Sequence, residues 1–420
     1  MTATRYDLTD PTLVFRPDVL DDPTGFYAQL RVEAPVWEIP GSATFLVTSA
    51  ALVNEAVARP DDFSSNLTSL IYRGAHGGAS VFDMTALGDA THVLATADPP
   101  VHTTHRKLLQ PQLTPGSVAR LETEVAAIVD ELQADLIAHG SGDYVAQVAD
   151  LVPMRVISLV IGLPATDAPR LVQLVLDVDQ ILAGVSDEAG MARAAASAME
   201  QATYLAEHLQ RVLAEIPAAG TVSAVPDTML ELLAMAVRRD EVTFAEAVGV
   251  LVQMLGAGSE TTTSLIGTSA RMLAADPVLQ QRLRDEPDAV PTFLEEVLRL
   301  DGPFRFHYRS VPRPAELGGV HLPAGSRLLL MWGAANLDER AYPEPDRLDL
   351  ARPTPKSHLA FGRGLHFCIG APLARLEARI AITKLLAATS RFEIDQTRPP
   401  RLHPDIFMRR LQQLGITLWV

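Results

Sequence analysis

Cys368 is the only cysteine in the chain, and it sits where a thiol gains chemistry. Phe361, Gly362 and Gly364 precede it in a turn-rich lead-in. Gly370 and Pro372 follow, and then APLARLEARIAITKLLA repeats its apolar residues at three and four. This reads as a loop feeding a helix, with the sulfur just before the helix N-terminus. Unpaired amides and the positive end of the helix dipole favour a thiolate there, able to act as a nucleophile or a metal ligand. The glycines let the backbone approach something large, flat and close. A buried, inert cysteine is the plainer alternative, so the surroundings must decide.

A second unusual stretch is Thr243 to Ala274, in which only Glu246, Glu260 and Arg271 are charged. Thr243 and Glu246 have capping-box spacing, and the helix they start must run through the interior. Its middle, Gly256-Ala257-Gly258-Ser259-Glu260-Thr261-Thr262, places glycines and hydroxyls in a core helix against their propensity. A helix that accepts this cost usually kinks or opens there for a reason. Close packing through small residues, with Glu260 ion-paired, is the competing explanation. A third stretch, after Pro100, begins a helix with His102 and Arg106 four apart on one face. In a fourth, PTFLEEVLRL, Glu296 and Arg299 share a face of a helix that starts at a proline and stops at Asp301-Gly302-Pro303.

The pattern Phe361-x-x-Gly364-x-His366-x-Cys368-x-Gly370 resembles the haem-binding loop of the cytochrome P-450 superfamily at every signature position. The resemblance implies that Cys368 is the thiolate ligand of haem iron, donating electron density that promotes O–O cleavage. It assigns Phe361, Gly362, His366 and Gly370 to the haem-binding loop. Ala257-Gly258-Ser259-Glu260-Thr261 resembles the family's distal oxygen-binding motif, with Gly258 widening the helix beside the iron. There Thr261 would hydrogen-bond the activated oxygen and Glu260 would help relay protons from solvent. His102 and Arg106 match a pair that contacts haem propionates, a sensible role for two charge-assisted donors. Arg309 and His366 are two further propionate contacts on this reading. Glu296 and Arg299 match a buried ExxR pair that supports the cysteine loop, and Arg347 in YPEPDRLDL fits the arginine that joins them. Two positions depart from the pattern. Asn336-Leu337-Asp338 lacks an arginine often found there, and Leu348 stands where an aromatic is common.

The elements that must position these residues form a mainly α fold with a small β region (α+β). The resemblance makes it a triangular, helix-rich prism around a buried haem. Helices are expected over Ala50–Ala58, through most of Ser117–Met235, and over Leu151–Pro164, Thr243–Ala274 and Pro291–Leu300. A hairpin is expected with strands Val36–Ile39 and Thr44–Val47 around Pro40-Gly41, and more strands alternate between Pro303 and Leu330. Asp61 to Ala97 reads as an irregular loop and a candidate substrate wall. Helices near Asp167–Ala183 and Glu188–Ile216, joined at Gly184, are by resemblance a mobile lid. Phe304, Phe306, His307, Tyr308, Phe407 and Met408 are expected to line part of an apolar pocket for a hydrophobic small molecule.

Composition bounds the partners. A hydrophobic fraction of 48% with 20% charged residues describes an ordinary globular chain. A net charge of −16 argues against nucleic acid. One cysteine excludes an internal disulfide, the N-terminus lacks the apolar core of a signal peptide, and no apolar run is long enough to span a bilayer. We therefore expect a cytoplasmic monomer, one domain over residues 1–420 without a fused reductase.

The activity expected from the resemblance is a monooxygenase using haem b (iron protoporphyrin IX) and O2. Electrons would come from NAD(P)H through a separate ferredoxin and ferredoxin reductase. Arg352, Lys356 and Arg363, with Arg106 and Lys107, are candidates for a basic docking face. A haem-binding sensor or ligand carrier is the alternative, against which the Glu260–Thr261 pair speaks. A cysteine hydrolase would need a better-placed base than His366, and a peroxide-driven variant is less in keeping with the acid–alcohol pair.

Overall fold

The computed structural model describes residues 5–84, 91–216, 226–353 and 355–420. Its longest described element is the helix Phe244–Ala274. Thr243 caps it as the spacing predicts. The Glu246 amide donates to Thr243 Oγ1 at 3.1 Å, and the Thr243 amide donates to the Glu246 carboxylate at 2.7 Å. Helices Leu151–Ile161, Glu188–Glu215 and Ala371–Ala388 pack around it, which is why it carries so little charge. Four of its buried hydroxyls find carbonyl acceptors. Ser259 and Ser269 donate back to the carbonyls of Leu255 and Leu265 at 2.8 and 2.7 Å. Thr263 and Ser264 reach across to the carbonyls of Ala149 and Arg409 at 2.8 and 2.6 Å.

The β region is a four-stranded sheet in the order Val36–Ile39, Thr44–Val47, Arg327–Leu330, His307–Ser310. The first pair is the expected hairpin, antiparallel with Val36 opposite Val47. Thr44 then pairs in parallel with Arg327, and His307 lies antiparallel to Leu330. Four consecutive buried residues on Thr44–Val47 reflect a strand covered on both faces. A second sheet joins Arg391–Ile394, Gly415–Trp419 and Ser141–Asp143 in that order.

One expectation is corrected. Within Asp61–Ala97, Ser69–Arg73 and Ala79–Asp83 form an antiparallel hairpin with Ile71 opposite Val81. Ser69, Leu70 and Ile71 are buried in this hairpin while its outer strand stays exposed, so the alternation of a half-buried sheet is hidden among polar turn residues. Residues 85–90 of that stretch lie outside the described residues. The two expected lid helices are present as Ala168–Ala183 and Glu188–Glu215, packed on each other.

Candidate functional site

The helix Ala371–Ala388 begins directly after the loop that holds Cys368. Two left-handed residues, Gly362 at φ 65° and Gly364 at φ 71°, fold the loop back, a conformation that costs a residue with a side chain. A Cβ on Gly364 would also meet Val57 Cγ1 at 2.9 Å, and one on Gly370 would touch Cys368 Sγ at 3.9 Å. The fold-back lets the Cys368 amide donate to the Phe361 carbonyl at 2.9 Å. The Phe361 ring is in turn covered by the Arg375 guanidinium, 4.4 Å from its centroid. Burial raises the free Cys368 thiol above its ordinary range. The backbone groups of Gly370 and Ala371 and the charges of Arg375 and Arg106 oppose that shift. The expected pull of the helix N-terminus is therefore present but outweighed by desolvation of the free thiol. A metal must displace the proton to take the thiolate.

Beside the loop lies a group of donors with few acceptors. His102 is buried, its Nδ1 has no hydrogen-bond partner, and its ring stacks on His366 with centroids 4.2 Å apart. Arg309, on the strand His307–Ser310, is also buried, and its Nη1 donates to the Tyr308 carbonyl at 2.7 Å. Burial pushes this guanidinium down to about 10, with only the charge of Asp98 opposing. Burial and the nearby cations Arg309, His102 and Arg106 push His366 down to about 3. Arg106 donates one N–H to the Phe367 carbonyl at 2.8 Å and so braces the loop as well. Buried donors without acceptors mark a place for an anion. Two carboxylate arms, as haem carries, would supply the missing acceptors.

The helix Phe244–Ala274 contributes the other wall. It is buried at Ser259 and Glu260, yet Ala257 is exposed and Thr261 partly so. Ala257 and Thr261 lie one turn apart, and Thr261 Oγ1 donates to the Ala257 carbonyl at 2.8 Å. The strip stays open although the residues beside it in the same helix are buried. Gly258 points elsewhere, since a Cβ on it would lie 2.8 Å from Ile157 Cδ1. Close packing against Leu151–Ile161 thus gives a sufficient reason for this glycine, and the segment remains α-helical. Glu260 is buried, with Arg410 Nη1 4.0 Å away, and burial holds its carboxyl well above the usual range.

On and around the strand that carries Arg309, Phe304 contacts His307 and Phe407 at centroid distances of 4.5 and 5.0 Å, while the Trp332 Nε1–H donates to His307 Nδ1 at 2.6 Å. Phe306 is buried in one cluster with Tyr308, Phe407 and Met408, its ring 5.1 Å from Tyr308 and 5.4 Å from Phe407.

The support behind the loop differs from the expectation in one residue. Glu296 and Arg299 are both buried and paired at 2.8 Å, as the ExxR spacing predicts. The arginine that joins them is Arg352, whose Nε donates to Glu296 at 3.0 Å. Arg347 offers only its carbonyl to Arg299, at 2.9 Å, and sends its side chain outward to Glu344. Burial alone would raise Glu296, but Arg299, the Asp349 amide and Arg352 hold it below the usual range. Arg352 is thereby removed from the candidate docking face, where Lys107, Lys356 and Arg363 remain exposed.

Sequence reasoning missed Glu295. Its carboxylate accepts from Arg375 Nε at 2.6 Å and from His358 Nε2 at 2.9 Å, so it ties down the chain on both sides of Cys368. The doublet Glu295-Glu296 in a buried helix was the available signal. The carboxyl group around Glu260, formed by Asp179 and Asp405 with Arg410 as the cation, had no signal in local spacing.

Comparison with known proteins agrees with this geometry. Residues 70–414 match the family model described as Cytochrome P450. Cytochrome P450 144 of Mycobacterium tuberculosis is 37% identical over 97% of this chain and 92% of its own length. Cytochrome P450 109 of Bacillus spizizenii is 33% identical over 73% of this chain and 74% of its own. The crystal structure of CYP109E1 from Bacillus megaterium in complex with testosterone superposes with a TM-score of 0.81 and 28% identity, covering 96% of this chain and 99% of that one. This chain belongs to the cytochrome P450 family, whose members are haem-thiolate monooxygenases that use haem b, O2 and electrons derived from NAD(P)H.

Proposed function

We propose that Cys368 is the iron ligand of this monooxygenase and that residues 1–420 act as one catalytic domain. Haem, when bound, supplies the redox chemistry that activates dioxygen. The chain supplies the setting. Gly362 and Gly364 shape the loop that presents the sulfur. Arg106 and Arg309 offer positive charge, and His102 and His366 offer ring N–H groups, to the two propionates. Ala257 lines the distal face, Thr261 presents a hydroxyl there, and Glu260 holds a proton one residue away. The observation that carries this reading is the cluster of His102, with its buried and unpartnered Nδ1, stacked on His366 beside the cysteine loop, together with the buried guanidinium of Arg309.

The substrate class we propose is a rigid apolar molecule, in keeping with Phe304, His307 and Phe407 beside the site and with the testosterone held by the Bacillus megaterium relative. Among the described residues no helix is long and apolar enough to cross a membrane. We place the protein in the cytoplasm as a monomer that takes electrons from a ferredoxin and its reductase. Exposed Lys107, Lys356 and Arg363 offer the ferredoxin a basic face.

The deciding experiment is the visible spectrum of the dithionite-reduced, CO-treated protein. A red-shifted Soret band that is lost in Cys368→Ala is the expected result. Haem without that band, or no haem in protein expressed with ample precursor, overturns the assignment. Titration with testosterone then reads substrate entry as a spin-state shift.

A further inference from the structure

His307 has its tautomer set by a neighbour that can only donate. It opens the strand His307–Ser310 and pairs with Leu330. Two residues beyond Leu330 the chain turns into the short helix Trp332–Ala335, and the Trp332 side chain is buried there. A buried indole N–H needs an acceptor, and Trp332 Nε1 finds His307 Nδ1 at 2.6 Å. Nδ1 must therefore be the ring nitrogen with the free lone pair, and the proton of the neutral imidazole sits on Nε2. That Nε2–H has no acceptor among the described residues, and His307 keeps part of its surface open.

The ring is also clamped. Phe304, Phe407 and Trp332 surround it with ring centroids 4.5, 5.6 and 5.9 Å away. Side chains alternate along a strand, so His307 and Arg309 emerge on one face and Tyr308 on the other, where the Tyr308 hydroxyl accepts from the Ile71 amide at 3.3 Å. His307 thus stands beside the guanidinium that the haem reading gives to a propionate. We propose that His307 is a further haem-positioning residue, whose Nε2–H is a neutral donor to the propionate held by Arg309 in a tautomer set by Trp332. This rests on the haem-thiolate reading above and deepens it. Burial, helped by the charge of Arg309, pushes His307 down to about 3. The imidazole therefore adds a hydrogen bond without setting a second cation against the guanidinium.

Two substitutions separate the two ring nitrogens. His307→Asn keeps an oxygen near the place of Nδ1 for the indole and removes the donor at Nε2. His307→Gln restores an amide N–H near the place of Nε2. Haem transfer from the holoprotein to a scavenging apoprotein should speed up several-fold in His307→Asn and return to within about twofold of the parent in His307→Gln. Adding Arg309→Met to His307→Asn should speed transfer by less than the product of the two single effects, because both donors serve one carboxylate. Effects that multiply in full would put the two donors on different groups and overturn the inference.

Isotope-labelled histidine NMR of the dithionite-reduced, CO-bound protein reads the tautomer directly. His307 should carry its proton on Nε2 at neutral pH, and Trp332→Phe should give a mixture of both tautomers. A parent protonated at Nδ1 overturns the inference. So does unchanged haem transfer in His307→Asn, including the case in which testosterone affinity falls instead and assigns the donor to the substrate. Transfer that speeds up equally in His307→Asn and His307→Gln would make the histidine a support for Trp332 alone, and overturns it too. The red-shifted CO band should persist in each variant, since none touches Cys368. Its absence from the parent would mark failure of the haem-thiolate reading, which keeps the two failures apart.

Discussion

Glu295 and Arg375 are joined by two hydrogen bonds, at 2.6 and 2.9 Å, and this pair locks the helix Val290–Leu300 to the helix that follows Cys368. The same carboxylate takes His358 on the other side of the loop. The His358 Nδ1 accepts from the Ala360 amide at 3.2 Å, which leaves the proton on the Nε2 that faces Glu295. Burial works against the Glu295 charge, but Arg375 and His358 overcome it and hold the carboxyl down to about 2.

Glu295→Gln should cost about 3 kcal/mol at neutral pH, because it leaves a partly buried guanidinium facing a neutral amide. The sign with pH follows from the depressed value. The stabilisation is fully present above the unfolded carboxyl value of 4.5 and is lost as pH falls from there toward about 2. Denaturant unfolding at pH 7 and pH 3 should therefore show the variant and the parent converging in acid.

Arg352 and Arg347 separate cleanly by substitution. Arg352→Ala strips a charge partner from fully buried Glu296 and should cost about 3 kcal/mol, with loss of bound haem during purification. Arg347→Ala removes an exposed pair with Glu344 and should change stability by less than about 0.5 kcal/mol. Thermal melts of the two variants check the assignment, and the reverse ranking would restore Arg347 to the supporting position.

Gly258 and Gly256 give a second contrast, within one helix. Gly258→Ala drives a methyl against Ile157 and should destabilise by about 1–3 kcal/mol, with recovery when Ile157→Ala is added. Gly256 has nothing within 4 Å of the position its Cβ would take, so Gly256→Ala should stabilise the haem-free protein by about 0.5–1 kcal/mol. Denaturant midpoints of the single and double variants test both.

Arg309 should act in opposite directions with and without haem. In the haem-free protein it is a buried cation with few acceptors, so Arg309→Met should raise apoprotein stability by about 1–3 kcal/mol. In the holoprotein the same change should speed haem loss to a scavenging apoprotein several-fold. A variant that loses stability in both states would mean that Arg309 serves only the strand it sits on.

What could be read from the chain was what depends on neighbours in sequence. The turn-to-helix loop of Cys368, the Thr243–Glu246 cap and the hairpin Val36–Val47 are local patterns, and all are present. What could not be read depends on which of several similar residues the folded chain brings inward. Arg347 and Arg352 flank the same turn, and nothing in their spacing says which enters. The missing arginine near residue 337 is covered in a way no motif encodes. Asn336 Oδ1 accepts from the Leu359 amide at 2.6 Å, and Asp338 accepts from the Ala50 amide at 2.9 Å. Asp179 and Asp405 meet Glu260 only because two helices and the segment near the C-terminus converge.

The parallel pairing of Thr44–Val47 with Arg327–Leu330 also dictates an order of events during synthesis. The first hairpin leaves the ribosome with an unmet edge, and its partner is translated nearly 300 residues later. Helices between these strands make many of their contacts nearby and can condense early, whereas this sheet must wait. The newborn N-terminal segment therefore spends most of translation with an open strand edge. An unpaired edge of this kind is a template for wrong pairing until Arg327–Leu330 has been made.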